Sequence, residues 1–343
     1  MEIFRKMSFA DSTGDAIPFY HEGKYHIFSL TSPPGTTVYP ERLRTTWSHS
    51  VSEDLVHWKE LPTALYPGEG EEPDASGVWT GSVIYGEGQF HAFYTGYCLT
   101  AEFQQTICHA TSEDGITWKK DTANPVITPI TELYEKLDWR DPYVFYNEED
   151  ENYWILISAR RLDMPITRRG CIVLYRSKDL KNWSYYGPIY SPGHTNCPEC
   201  PEMYRMGNHW YLSYSRFSEF VNTIYRVSES PFGPWRKPKK DGIGGRRFYA
   251  AKSMQNEEGR RFYFGWAHDR AQQSDTGEWY WGGTFCVPHE VVPSENGELD
   301  VKLPREYEQI FGRKTEWEYL PVLGDAKVYG KNTIALHAVE SCS

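Results

Sequence analysis

Ser52-Glu53-Asp54-Leu55-Val56-His57-Trp58 is the first of a series. The same Ser-x-Asp-(three residues)-Trp pattern returns as SEDGITW at 112–118 and SKDLKNW at 177–183, with a drifted copy, SESPFGPW, at 228–235. The Trp positions 58, 118, 183 and 235 lie 60, 65 and 52 residues apart. Such a period marks stacked supersecondary units, none of which buries its apolar face alone. A second repeat of short aromatic strands interleaves with the first: KYHIF (24–28), QFHAFYT (89–95), NYWILIS (152–158), HWYLSYS (209–215) and RRFYFGW (260–266). Each follows a tight turn and another apolar run: IPFY (17–20), SVIY (82–85), YVFY (143–146), MYRM (203–206) and a weaker AAKSM (250–254).

These runs alternate with period two, and no amphipathic helical stretch competes with them. Five similar units of short antiparallel strands predict an all-β chain folded as a five-bladed β-propeller. A β-sandwich is the alternative, but it needs no five-fold repetition. The expected boundaries are a propeller over residues 1–312 and a C-terminal tail over 313–343.

About one residue in six is aromatic (13 Trp, 25 Tyr and 16 Phe among 343), and 36 basic residues face 47 acidic ones, net −11. This composition is the opposite of a disordered one. No apolar run is long enough to span a bilayer, and the negative charge is a poor match to a phosphate backbone. Neither a membrane nor a nucleic acid is expected as a partner. The start, MEIFRKMSFADSTGD, lacks an apolar leader core, and seven scattered cysteines do not read as a disulfide framework. A cytoplasmic location is the expectation. Cys197-Pro198-Glu199-Cys200 is a lone CxxC, read as packed thiols rather than a zinc or redox site. The 11 histidines do not cluster at ligand spacing. Gly242-Ile243-Gly244-Gly245 opens no helix, and no nucleophile elbow is present. No metal or cofactor is expected.

In a propeller the first strand of each blade lines the axis, so its end opens into one shared pocket. Just before the first-strand runs stand Asp15, Thr80-Gly81-Ser82, Asp141 and Glu199. Asp15, Asp141 and Glu199 each precede a tyrosine (Tyr20, Tyr146, Tyr204) by five residues, which suggests one register and favours Glu199 over Glu202. Converging acids suit glycoside hydrolysis, where one carboxylic acid protonates the leaving oxygen and a carboxylate attacks or activates water. Crowding of like charges keeps one of them protonated. Trp47, Trp79 and Trp266 are candidate platforms for sugar rings. Taken singly, such acids are often turn residues, and the Ser-x-Asp-Trp repeats are assigned to hairpin turns and packing between blades.

The segments GDAIPFYHEGKYHIF (14–28), TTWSHSVSEDLVHW (45–58), WTGSVIY (79–85), WRDPYVF (139–145), ECPEMY (199–204), FYAAKSMQNEEGRRFYFGW (248–266) and VPHEVVPSENGELDVKLP (287–304) resemble glycoside hydrolase family 32, the β-fructosidases. The resemblance implies a five-bladed propeller and a retaining double displacement. It places Asp15 at the nucleophile position, Asp141 at the transition-state stabiliser and Glu199 at the general acid/base. Arg140 belongs with the substrate-binding set, as do Trp79 and Ser82, which match an aromatic-Ser-Gly-Ser stretch with Thr80 replacing a usual Ser. The family's Asn-Asp-Pro-Asn-Gly motif is here Gly14-Asp15-Ala16-Ile17-Pro18, and the Gln usually ending the next strand is absent from Phe28-Ser29-Leu30. These changes touch the residues that read fructose. The insertion from Thr31 to Arg44 is expected to form a rim loop. After Pro304 only 39 residues remain, too few for the family's usual β-sandwich, although KNTIALHAV (331–339) is strand-like.

The expected function is a retaining β-fructofuranosidase-like hydrolase acting on a small fructosyl-type carbohydrate. The alternatives are an inverting arabinofuranosidase- or xylosidase-type propeller and a non-catalytic sugar-binding propeller. A phosphorylase is a fourth and weaker one: Arg168, Arg169, Arg246 and Arg247 could bind phosphate but read rather as solvated turn residues.

Overall fold

A computed structural model describes residues 12–274, 276–310, 326–328 and 334–336. Four strands, β1 (Thr13–His21), β2 (Lys24–Thr31), β3 (Thr46–Ser52) and β4 (Trp58–Leu65), form the first antiparallel meander. The second is β5 (Gly77–Gly86), β6 (Gln89–Tyr97), β7 (Gln105–Ser112) and β8 (Lys119–Lys120). The third is β9 (Arg140–Asn147), β10 (Asn152–Arg160), β11 (Gly170–Ser177) and β12 (Ser184–Tyr190). A three-stranded sheet follows: β13 (Glu199–Met206), β14 (His209–Arg216) and β15 (Asn222–Ser228). The last group is β16 (Tyr249–Gln255), β17 (Arg261–Arg270), β18 (Trp279–Phe285), β19 (His289–Pro293) and β20 (Leu299–Lys302). Strand β18 pairs with β17 and, through Gly283 and Thr13, with β1, so the last group and the first meander share one nine-stranded sheet. The all-β expectation holds.

Strand β1 packs against β5, β5 against β9, β9 against β13, β13 against β16, and β16 against β1. The apolar cores lie between consecutive sheets. One sets Ile17, Phe28 and Trp47 against Val83, Ala92 and Tyr94. The next sets Phe93 and Ile107 against Val144, Ile155 and Val173, and two more continue the series. The chain divides into two compact units, Met1–Glu306 and Tyr307–Ser343. The second contains a hairpin of β21 (Ala326–Val328) and β22 (Ile334–Leu336), of which β22 falls within the 331–339 stretch expected to be strand-like; apart from residues 307–310 the remainder of that unit, including Cys342, lies outside the described residues, as do the first eleven residues. No helix among the described residues is long and apolar enough to cross a membrane.

The repeated Ser-x-Asp-Trp segments have one conformation. Asp54 accepts the amides of Val56 (2.9 Å) and His57 (2.7 Å), Asp114 those of Ile116 (2.8 Å) and Thr117 (2.7 Å), and Asp179 those of Lys181 (3.0 Å) and Asn182 (2.8 Å). The Thr117 and Ile116 amides pull the Asp114 carboxyl down to about 2. The next residue is left-handed each time: Leu55 (φ 67°), Gly115 (φ 70°) and Leu180 (φ 59°). The turn throws the tryptophan back onto the preceding sheet. Trp118 meets Phe28 edge-on (5.7 Å, 86°), Trp183 meets Phe93 (5.3 Å, 88°) and Trp58 meets Phe264 (6.1 Å, 86°). Edge-to-face geometry is the favoured arrangement of such pairs.

Trp118→Ala removes one such clasp and is expected to lower stability by about 3 kcal/mol. In urea the unfolding midpoint falls while the slope stays unchanged; a shift below about 1 kcal/mol would show that the ring is not a clasp.

Candidate active site

Each innermost strand loses register once. Two residues oppose one between Thr13 and Ala16 in β1, Val78 and Gly81 in β5, Arg140 and Tyr143 in β9, Glu199 and Glu202 in β13, and Tyr249 and Lys252 in β16. Such bulges bend a strand and re-aim its side chains. Asp141 (φ 58°), Cys200 (φ 49°) and Ala250 (φ 46°) take the left-handed conformation there. Pro142 and Pro201 occupy unpaired positions, where a missing N–H costs no ladder bond.

This ladder corrects the argument from equal spacing. Glu199 is the last paired residue before its bulge, Asp141 the first bulged residue and Asp15 the second. They share a level, not a register. All three nevertheless line one cavity of about 480 Å³, together with Arg140 and Trp79.

Asp15 Oδ1 accepts Trp266 Nε1–H (2.9 Å), and Oδ2 accepts the Thr80 hydroxyl. Burial pushes the Asp15 carboxyl above its ordinary value, the Thr80 and Trp266 donors pull it back, and Glu199 pushes it up again. Asp141 accepts the Cys200 amide at Oδ2 (2.8 Å). Burial raises its carboxyl too, Arg140 opposes that, and Asp15 adds to it. Glu199 accepts Arg140 Nη2–H at Oε1 (2.8 Å) and the Tyr249 hydroxyl at Oε2. Arg140 also donates to Asp138 and to Gln105 Oε1 (3.2 Å), and its Nε lies 3.7 Å from Asp141 Oδ2.

The expected sugar-contacting residues divide. Trp79 does line the cavity, its ring stacked on Tyr97 (3.9 Å, 23°) and its Nε1 donating to Leu43 O (2.9 Å). Trp47 does not. It is 0% exposed, packed against Phe28 and Tyr94 with its Nε1 donating to Trp79 O, so no ring face remains for a sugar. Trp266 is also 0% exposed, and its indole holds Asp15 rather than stacking on substrate. Ser82 lies past the β5 bulge, buried, where its hydroxyl donates to Pro142 O (3.0 Å) and accepts the Val144 amide (2.8 Å), tying β5 to β9. Glu202, set aside in the sequence, is fully buried against Ser253 and Arg261, away from the cavity.

Sequence reading missed Tyr249, Asp138 and the wall formed by Trp279, Tyr280 and Trp281. The dense aromatic run Trp279-Tyr280-Trp281-Gly282-Gly283 was the available signal. A Cβ on Gly14 would lie 2.6 Å from Trp281; Gly14 stands bare because that ring fills its side-chain space. The Thr31–Arg44 insertion does reach the rim. Tyr39 and Leu43 line the cavity, the Tyr39 hydroxyl accepts the Trp281 amide (2.8 Å), and Arg42 Nε donates to Trp281 O (2.8 Å). Among the described residues no group of three His, Cys, Asp or Glu side chains is placed to hold a metal.

An all-β scaffold that gathers three carboxylates into an aromatic cavity has the residue types that suit carbohydrate chemistry. Residues 15–302 match the model of the glycosyl hydrolases family 32 N-terminal domain, and the chain belongs to that family. Among curated relatives it is 29% identical to the raffinose invertase of Escherichia coli, over 85% of this chain and 62% of that protein. It is also 29% identical to the levanase of Bacillus subtilis, over 88% of this chain and 46% of that protein. Among solved structures, fructan 1-exohydrolase IIa from Cichorium intybus superposes with a TM-score of 0.73 at 23% identity, covering 89% of this chain and 61% of the other. The chain thus spans less than two thirds of the length of these relatives.

Asp15→Asn is expected to stabilise the fold by about 1 kcal/mol. Burial holds the folded-state pKa of Asp15 above its unfolded value, so folding opposes ionisation of this carboxyl above its unfolded-state pKa at a cost that the amide escapes. Melting curves at pH 7 check this, and the gain shrinks as pH falls through the folded-state pKa.

Proposed function

We propose that this chain is the catalytic part of a retaining glycoside hydrolase of the β-fructofuranosidase type, built as a five-bladed β-propeller and acting on a small fructosyl-type carbohydrate. The cyclic contacts of the five first strands and the apolar cores between successive sheets support the propeller. The observation that carries the chemistry is the unlike setting of Asp15 and Glu199 in one cavity. Asp15 is sheltered and receives only neutral donors, from Thr80, Trp266 and the Cys200 thiol, which leaves it a nucleophile without an ion pair, aimed at an anomeric carbon. Glu199 is the more exposed carboxyl, oriented by Arg140 and Tyr249, and serves as acid to the leaving oxygen and then as base to water. Asp141, fixed through Oδ2, keeps its other oxygen for a sugar hydroxyl. The relatives named for raffinose, levan and fructan agree with a fructosyl substrate. One structural neighbour was solved with 1-kestose bound. Here Leu30 and Trp281 line the cavity, so the sugar meets a more apolar wall than the family's motif supplies.

Glu199→Gln is expected to lower kcat by about 10³-fold and to recover much of it on an aryl fructoside, whose leaving group needs no proton. Asp15→Asn is not rescued by such a leaving group. NMR of the first-formed product shows a retained anomer; an inverted one, or full activity in either variant, overturns the assignment. Thr80→Val removes a donor that favours ionised Asp15. The acidic limb of kcat/KM therefore moves to higher pH, and a limb that stays in place argues against Asp15 as the titrating nucleophile.

A further inference from the structure

A group that protonates the leaving oxygen must face the leaving group, and in this cavity that group is Glu199. The wall beside Glu199 is built of rings. Tyr249 donates its hydroxyl to Glu199 Oε2. Phe217 meets the Tyr249 ring edge-on (6.2 Å, 74°), and His268 lies beside both, 5.4 Å from Tyr249 and 6.5 Å from Phe217. Trp279 meets His268 edge-on in turn (6.2 Å, 82°), and all four residues line the cavity. The series runs from buried Tyr249 to Phe217, 57% exposed, and Trp279, 40% exposed, and so from the carboxylate to the mouth. Large rings left open to water around a cavity mouth mark a binding surface. The guanidiniums of Arg247 and Arg270 lie 3.8 and 3.7 Å from the Trp279 ring centroid, one on each face, and hold that ring from outside the lining.

These rings have little to give a hydroxyl. The Tyr249 proton is engaged by Glu199, Phe217 has no polar side-chain atom, and His268 keeps a buried Nδ1 without a partner. Burial and the nearby Arg247 hold the His268 imidazole down at about 3, so it is uncharged at neutral pH. Elsewhere in the lining Arg140 is engaged by Asp138, Gln105 and Glu199, and Asp138 also takes Arg160 Nε (3.2 Å). Trp79 Nε1 is engaged by Leu43 O. A second sugar would bring several hydroxyls, and each one stripped of water without a new partner weakens binding. A planar apolar group loses no hydrogen bond there and packs on the rings by edge or face.

We propose that the leaving group of the natural substrate is an aromatic alcohol seated against Phe217, His268 and Trp279, and not a second sugar. This rests on the hydrolytic reading of Asp15 and Glu199, and the two are tested apart. Calorimetry on the Asp15→Asn protein measures binding of 2-phenylethanol and of glucose as free leaving groups, without turnover. 2-Phenylethanol is expected to bind about tenfold or more tightly than glucose. Equal or tighter binding of glucose overturns the proposal whatever the enzyme hydrolyses. Because Phe217 is exposed, Phe217→Ala spares the core; it is expected to weaken 2-phenylethanol about fivefold with an unchanged melting transition. An affinity that does not change places the alcohol elsewhere and also overturns the proposal. In the active protein, kcat/KM for 2-phenylethyl β-fructofuranoside is expected to exceed that for sucrose about tenfold, mainly through KM. The alcohol is no better a leaving group than a sugar hydroxyl, so such a preference reports binding. A ratio at or below one in a protein that cleaves either substrate overturns the proposal. Tighter binding of 2-phenylethanol by a protein that cleaves neither leaves the aromatic subsite standing and sinks the hydrolytic reading.

Discussion

Opposing two residues to one in a strand leaves backbone N–H groups outside the ladder, and in a buried strand they must bond elsewhere. That need organises the centre of this protein. The Asp141 amide, freed by the β9 bulge, donates to Thr95 Oγ1 on the preceding sheet (2.8 Å), and Thr95 donates in turn to Thr80 O (3.0 Å). The Cys200 amide, freed in β13, donates to Asp141 Oδ2 on the sheet before it. The Ala251 amide, freed in β16, donates to Thr223 Oγ1 of β15 (3.0 Å). Each of these three bulges thus bonds back to its predecessor, and the bonds that satisfy the backbone also fix side chains of the site. Asp141 takes part twice, as donor through its amide and as acceptor through its carboxylate.

The same arrangement decides how much negative charge the centre tolerates. Arg140 contacts Asp138, Asp141 and Glu199, so one guanidinium offsets three carboxylates. Asp15 is excluded from that pairing and held by an indole and a hydroxyl. Neutral donors orient a carboxylate without neutralising it, whereas an ion pair would lower its nucleophilicity along with its pKa. Further along the axis Lys252, buried and drawn below its ordinary value by that burial, donates to Gly81 O, and Glu202 is satisfied by Ser253 and Arg261. These groups have no place in the cavity lining and are explained by the requirement that buried charge be hydrogen-bonded.

The repeat was legible because its residues act through local chemistry. An Asp that caps its own turn and a Trp four residues beyond it leave a mark in the sequence wherever the turn recurs. The three acids were legible for a less secure reason, since equal spacing to Tyr20, Tyr146 and Tyr204 does not correspond to equal ladder positions. Residue type and proximity to the strand starts identified them. Aromatic roles were the least legible. Trp47 and Trp266 fall in strands that are buried on both faces, where alternation gives no clue to which rings see solvent. Trp279 and Trp281 belong to a late strand that crosses to β1, a long-range pairing that no local pattern announces.

Gly14 and the late wall show how such a pairing rewrites a site. A missing side chain at position 14 would by itself leave a hole beside Asp15. Trp281 closes it, approaching so near that no Cβ fits, and is in turn anchored by Tyr39 and Arg42 of the 31–44 insertion. Gly14, the 31–44 loop and the aromatic run at 279–281 are therefore one packed unit drawn from three stretches of chain. Its effect is an aromatic wall at the rim beside Asp15, one residue from Gly14, with the Asp15 carboxylate held by Thr80 and Trp266.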